Sequence, residues 1–437
     1  MFETLKNVFR VKEMRRKLLY LIWMIFIIRI GCQIPVPGVD SDFFKQWFSS
    51  NAGDAFNFFD AFTGGSFERM SIFALNITPY ITSSIIIQLL TIAIPALEEM
   101  QRDGEEGRKK MTAITRYVTV GLALFESIAM AIGFGRQGMI PNLDFFKGVV
   151  VVACLTAGSA MLMWLGERIT EKGVGNGISI VLTINIISRV PSDLTLLYEN
   201  FIKGKTIAKG TLAGLIIAAV ILLVVVLVLI LNGAERRIPV QYSRKMVGRK
   251  MMGGQSTNIP LKVNTAGVIP VIFASSIMSF PSIIAQFAGK GNGTGIGSEI
   301  LRGLSSNNWC NPSQPQYSWG LLLYIVLCVF FAYFYTSITF NPLEVADNIK
   351  KQGGFIPGIR PGKPTSDYLT KILNYIIFIG AVGLVIVAVI PFFFNGVFGA
   401  DVSFGGTSII IIVGVILETV KQVESQLLVR NYKGFLN

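Results

Sequence analysis

Residues 58–95 read FFDAFTGGSFERMSIFALNITPYITSSIIIQLLTIAIP, and the rest of the chain is organised around them. Gly64 and Gly65 interrupt the first part, which carries Glu68 and Arg69. From Asn76 to Pro95 there is no charge, over about the 20 residues that a helix needs to cross a bilayer. The pattern predicts a short helix folded back ahead of a membrane span. Broken backbone and charge at membrane depth belong in a protein-lined cavity, because lipid offers them no polar partner.

A second stretch, residues 264–287, NTAGVIPVIFASSIMSFPSIIAQF, answers the first. Pro79, Ile81 and Ser83-Ser84-Ile85 correspond to Pro270, Ile272 and Ser275-Ser276-Ile277, with a one-residue slip at the serines. Matched Pro-interrupted spans in two halves are the trace of an internally repeated membrane protein with its pathway at the repeat interface. The competing reading is that Gly, Pro and Ser are common in membrane helices anyway.

Composition points the same way. Hydrophobic residues make up 52% of the 437 and charged ones 15%, and mean hydropathy is +0.58, which places the chain among polytopic membrane proteins. Apolar runs predict ten spans, near 18–37, 76–95, 117–134, 148–166, 176–191, 211–231, 264–287, 318–340, 370–393 and 405–421. The fifth is short and rich in Gly and Thr. With both termini in the cytoplasm, 28 of the 39 Lys and Arg residues fall on that side, as the positive-inside rule requires. The same assignment runs spans two and seven in opposite directions, as an inverted repeat demands. Lys12, Arg15, Arg16 and Lys17 precede the first apolar run like a secretion signal, but the run ends in Ile34-Pro-Val-Pro-Gly38 without a small-residue cleavage site and reads as a retained span.

The chain contains no histidine, which removes Ser-His and Cys-His nucleophile pairs and most metal sites. Cys32, Cys154, Cys310 and Cys328 show no metal or pairing spacing. Glu126 is the one acid within a span; it is read as neutral or as paired with Arg29. No catalytic residues, metal or cofactor are expected, and the chain does not read as an enzyme. Gly173-Val-Gly-Asn-Gly177 lacks the Lys and Ser/Thr of a phosphate loop and is read as a tight turn between spans.

Two cytoplasmic loops stand out. Residues 232–262 hold seven bases against Glu235 alone, which obeys the positive-inside rule and also suits an acidic partner, whether lipid, RNA or protein. Residues 341–371 present Arg360 among Pro342, Gly353-Gly354, Pro357-Gly358, Pro361-Gly362 and Pro364, a stiff loop suited to docking.

The segments FERMSIFALNITPYITSSIIIQLL (67–90), RITEKGVGNGISI (168–180), RRIPVQYSRK (236–245), KVNTAGVIPVIFASSI (262–277) and NPLEVADNIKKQGGFIPGIRPGKPT (341–365) resemble the signature segments of the SecY family, channel subunits of the bacterial Sec translocon. The resemblance runs from the first span to the tenth. It implies an all-α polytopic membrane protein, with ten transmembrane helices in two inverted five-helix halves around an hourglass pore. The halves would be 18–191 and 211–421, joined by an external hinge at 192–210 and flanked by cytoplasmic segments 1–17 and 422–437.

By motif position the resemblance implies a pore ring of Ile81, Ile85, Leu182, Ile186, Ile272 and Ile411. It implies a plug at about 61–73, swung on Gly64 and Gly65 and carrying Glu68 and Arg69. A lateral gate would lie between spans two and seven, lined by Ser83, Ser84, Ser275 and Ser276. Arg236, Arg237, Arg244, Lys245 and Arg360 would dock the ribosome, through its RNA, or the SecA ATPase. SecE and SecG would be its small partner subunits, and signal sequences, nascent chains and membrane lipid its other partners. A bacterial plasma membrane is the expected location. A ring of branched apolar side chains excludes ions by dewetting, yet offers a passing peptide no polar site. The alternative is a secondary transporter of small solutes, which needs polar groups where this chain has isoleucines.

Overall fold

Uncharged runs of Leu, Ile, Val and Phe long enough to cross a bilayer have one local solution, the helix, because every backbone amide must find its partner within the segment. The computed structural model describes residues 11–41, 43, 44, 46, 60, 63–136, 138, 140, 144–203, 207–242, 245–247, 250–252, 256–287, 296–305, 308–310, 312, 314–398 and 406–433. In chain order the helices are α1 (Lys12–Gly31), α2 (Thr78–Ala93), α3 (Pro95–Arg102), α4 (Gly104–Arg136), α5 (Phe145–Lys172), α6 (Gly177–Phe201) and α7 (Ile207–Gly233). After four strands come α8 (Ile269–Phe287), α9 (Ile296–Leu304), α10 (Trp319–Thr339), α11 (Pro342–Lys351), α12 (Lys363–Phe398) and α13 (Gly406–Lys433).

Among the described residues six helices are long and apolar enough to cross a membrane: Gly104–Gly135, Phe145–Lys172, Gly177–Glu199, Gly214–Gly233, Pro315–Lys351 and Lys363–Phe394. A seventh candidate is the pair Thr78–Ala93 and Pro95–Gln101, bent by 108°. The bend falls at Ile94, whose extended backbone (φ −115°, ψ 109°) precedes Pro95, as the steric clash before a proline dictates. The remaining expected spans lie on α1, α8 and α13. Lys12, Arg15, Arg16, Lys17 and Arg29 charge α1, Pro281 lies inside α8, whose Ile269–Met278 is a shorter apolar helix, and Glu418, Lys421 and Glu424 charge α13. The fifth span is longer than expected, 23 residues.

The basic loop corrects the all-helical reading. β1 (Glu235–Tyr242) pairs antiparallel with β4 (Ser256–Lys262), from Glu235 opposite Lys262 to Gln241 opposite Ser256. β2 (Lys245–Val247) and β3 (Lys250–Met252) form the tip, and β5 (Gly354–Phe355) adds to the free edge of β1, giving the order β4-β1-β5. Alternation explains the hairpin: Ile238 and Val240 point inward while Arg237, Pro239 and Gln241 point out.

The chain divides into two compact units. The first comprises Met1–Leu196, Ser282–Ser298 and Val415–Asn437; the second comprises Leu197–Pro281 and Glu299–Gly414. In the first, α4 packs on α5 and α2, and α1 on α5. Its core holds Phe44, Phe67, Met70, Phe134 and Leu155 in one cluster and Ile28, Phe73, Ile77, Leu162 and Leu182 in another. The turn at Gly173–Gly177 is as tight as the sequence suggests: a Cβ on Gly177 would lie 2.0 Å from the Gly166 carbonyl oxygen, so only glycine lets α5 and α6 meet there. In the second unit α12 packs against α10, α7 and α11. Trp309, Tyr324 and Phe392 stack tilted or edge-on at one end, and Ile238, Val240 and Leu261 join Ala346, Ile349, Leu369 and Ile372 at the other.

Candidate functional site

The segment ahead of α2 is the least regular and most heavily fastened part of the first unit. Asp60 and Thr63 are helical; from Gly64 to Ile77 the chain runs as turns broken by a bridge at Ser71, because four residues take left-handed backbone: Gly64 (φ 68°), Gly65 (82°), Met70 (46°) and Asn76 (53°). Each interrupts the helical ladder. The segment is also drier than its charges suggest. Phe67, Met70, Phe73, Ala74, Leu75 and Ile77 are all buried, and Phe67 packs its ring against Phe44 and Phe134.

Polar contacts tie it down at three places. Residues 70–72 pair with the strand-like stretch after α1, through Val36 N to Met70 O and Ile72 N to Ile34 O, both 2.9 Å. Arg69, exposed, donates to the Gln33 side chain. Asn76, fully buried, accepts at Oδ1 from Asn185 Nδ2 (3.0 Å) and at its carbonyl from Ser159 Oγ (3.1 Å). Arg29 reaches Asn185 Oδ1 at 3.5 Å, so of the two readings of Glu126, neutral or paired with Arg29, the pair is not the one formed among the described residues. At the other end Asp60, with no exposed surface, forms an ion pair with Arg189 of α6, and Glu68 Oε2 lies 3.4 Å from the same guanidinium nitrogen. Gly64 is more than a pivot: a Cβ there would stand 2.7 Å from both the Asn185 carbonyl oxygen and Ser188 Oγ. Ala61 and Phe62, within the expected plug, lie outside the described residues.

None of the six ring candidates is exposed. Leu182 and Ile186 on α6 and Ile411 on α13 are buried, while Ile81 and Ile85 on α2 and Ile272 on α8 are half-buried. Within the first unit Ile81 and Leu182 belong to one apolar cluster. The two matched stretches repeat in backbone as well as in sequence. α2 opens Thr78-Pro79, two residues after left-handed Asn76, and α8 opens Ile269-Pro270, two residues after left-handed Gly267 (φ 64°). Proline in a helix's first turn leaves no orphaned donor, and Ile81 and Ile272 follow at the same step. Of the gate serines, Ser83 is buried and spends its hydroxyl on Pro79 O of its own helix (2.7 Å). Ser84 is half-buried, Ser275 buried and Ser276 exposed.

The two loops 232–262 and 341–371, read separately from sequence, fold into one piece of the second unit through the β1–β5 pairing. Arg236 and Arg237 are exposed on β1, Arg237 bonded to Glu235 (Nε to Oε1, 2.9 Å). Arg360 is exposed beyond β5, its carbonyl held by Thr365 Oγ1 at 2.8 Å. Arg244 lies outside the described residues, as does the side chain of Lys245, whose backbone is in β2. Sequence reasoning missed Asp60, Asn185 and Arg189. A visible signal existed for the last, a lone cation deep in an apolar helix.

Residues 71–420 match the family model described as SecY. The chain belongs to the SecY family. It is 45% identical over 453 aligned residues to the protein translocase subunit SecY of Streptomyces galbus, 100% of each chain being covered. It is 43% identical to that of Halalkalibacterium halodurans, again over 100% of each, and 41% to that of Mycobacterium bovis over 98% of each. Among solved structures it resembles one described as a protein conducting channel, with a TM-score of 0.63 at 19% identity, covering 94% of this chain and 92% of the other. It also resembles the Sec61 of a canine ribosome–channel complex, with a TM-score of 0.60 at 18% identity and the same coverage. At these identities the structural likeness speaks to the SecY-like fold alone.

Proposed function

We propose that this SecY-family chain is the channel subunit of a protein translocase, passing unfolded polypeptides across the membrane. The observation that carries the reading is the full-length match to relatives named protein translocase subunit SecY. In this reading ten helices form two inverted halves, 18–191 and 211–421, hinged at 192–210, around an hourglass pore. The matched openings of α2 and α8 support the repeat. Ile81, Ile85, Leu182, Ile186, Ile272 and Ile411 form the collar, and their lack of exposure supports it. Residues 61–73 are the plug, and transmembrane helices leave for lipid between α2 and α8, past Ser83, Ser84, Ser275 and Ser276.

The β1–β5 sheet with Arg236, Arg237 and Arg360 is the cytoplasmic docking face for the ribosome or the SecA ATPase, and SecE and SecG accompany the chain. Both termini lie in the cytoplasm of a bacterial cell. A secretory polypeptide arrested in transit tests the core of this reading. A cysteine placed at Ile81 or at Ile272 should crosslink to it. No adduct at either position, together with solute uptake that depends on them, points to a small-solute transporter instead.

A further inference from the structure

One face of α6 carries Asn185, Ser188 and Arg189, spaced i, i+3 and i+4, and all three hold the segment that precedes α2. Asn185 takes Asn76 at its end, Ser188 Oγ lies 3.4 Å from Gly64 O in its middle while its hydroxyl donates to Asn185 O at 2.6 Å, and Arg189 takes Asp60 and Glu68 at its start. We infer that Arg189 is the positioning residue that latches Asp60 and Glu68 in the closed channel, and that these two carboxylates leave it about a hinge at Arg69–Met70. The inference rests on the plug reading above and gives it a mechanism.

Asp60 has no exposed surface, and a carboxylate cannot stay ionised there without a partner. One of its oxygens folds the loop on itself, accepting from Glu68 N (2.8 Å) and Thr63 Oγ1 (3.3 Å), and the other faces Arg189. The loop thus presents two carboxylates to one nitrogen of the guanidinium. A further carboxylate, Asp193, is buried one turn along α6. Before Arg69 the piece is held by these side chains and by Phe67, packed on Phe44 and Phe134; beyond Arg69 residues 70–72 are paired through backbone to residues 34–36 as well. Side-chain ion pairs can open while backbone pairing holds, and Met70, in left-handed conformation, marks the junction. A buried ion pair suits a latch, since the water it regains on opening offsets most of the attraction it loses.

The test measures ion leak through lipid vesicles containing the full chain with the subunits that co-purify with it, in the absence of a translocating polypeptide. Arg189→Gln and Asp60→Asn should each raise the leak about tenfold, the change that ~1.4 kcal/mol makes in a two-state population. A cysteine at Thr63 should become accessible to an impermeant maleimide in Arg189→Gln while the thermal midpoint of the whole chain stays in place. Should Arg189→Gln fail to accumulate, Arg189→Met, which removes the charge and keeps most of the volume, is judged by the same leak and labelling. Unchanged leak and labelling in a folded Arg189 variant overturn the latch. Removal of residues 61–69 separates the two ideas: a raised leak there with none in the Arg189 variants defeats the latch alone, and no leak in either defeats the plug.

Discussion

At the scale of single residues, the first unit is decided by places where a side chain is missing and by one buried amide pair. Gly158 of α5 lies under the crossing segment, and a Cβ there would meet the Ile72 carbonyl oxygen at 2.0 Å, with backbone on both sides. Gly158→Ala should therefore lower the unfolding free energy by about 1–3 kcal/mol, the usual cost of overpacking a closed contact. Denaturant unfolding of the purified chain in detergent checks this, and an unmoved midpoint refutes the close approach. Asn185→Ala removes the donor to Asn76 and the acceptor for Arg29 together. An expected loss of about 0.6–1.7 kcal/mol follows from polar pairs between membrane helices. The variants Asn76→Ala and Asn185→Ala should be non-additive in the same measurement, because they share one bond.

At the scale of elements, the hairpin β1–β4 and the two-residue β5 show how the second unit builds one sheet from two loops. Ile238, Val240 and Leu261 supply its apolar side, packed on α11 and the start of α12. Ile238→Ala should cost about 2–5 kcal/mol of local stability. Hydrogen exchange should then quicken across Glu235–Tyr242 and Ser256–Lys262, while amides of α5 keep their protection; equal protection throughout would show that the hairpin does not depend on this core. The outward side has another task. Arg236 and Arg360 are exposed, so Arg236→Glu and Arg360→Glu should change stability by no more than about 0.5 kcal/mol. Each should weaken binding to an RNA-bearing partner and flatten its salt dependence by roughly one unit of slope. A ribosome-binding titration at several salt concentrations reads both, and full affinity in the double variant removes the docking role.

For the whole molecule, the charge asymmetry makes a topological statement that does not depend on how the two units are arranged. α4 crosses the bilayer once, from the turn before Gly104, with Arg108, Lys109 and Lys110 in its first turns, to the turn at Gly138. With the four native cysteines replaced by serine, a cysteine at Gly104 and one at Gly358 should react with an impermeant maleimide from the same side of the membrane. One at Gly138 should react from the other. Labelling of Gly104 and Gly358 from opposite sides would break the even count of spans that the inverted halves require.

Much of this was legible without coordinates, for physical reasons that act locally. Long uncharged runs must be helical in lipid, and Pro79 and Pro270 start helices because their rings suit a first turn and no other. The family, too, was legible, since its motifs are carried by short contiguous segments. Contacts between residues distant in sequence were not. That Asp60 would find Arg189, that Asn76 would find Asn185, and that two separate loops would close into one sheet through Gly354 and Phe355 depended on which faces came together. A sequence reports what each segment must satisfy; only packing decides which partner satisfies it, because a buried charge or amide accepts any complementary group that the folded backbone brings within reach.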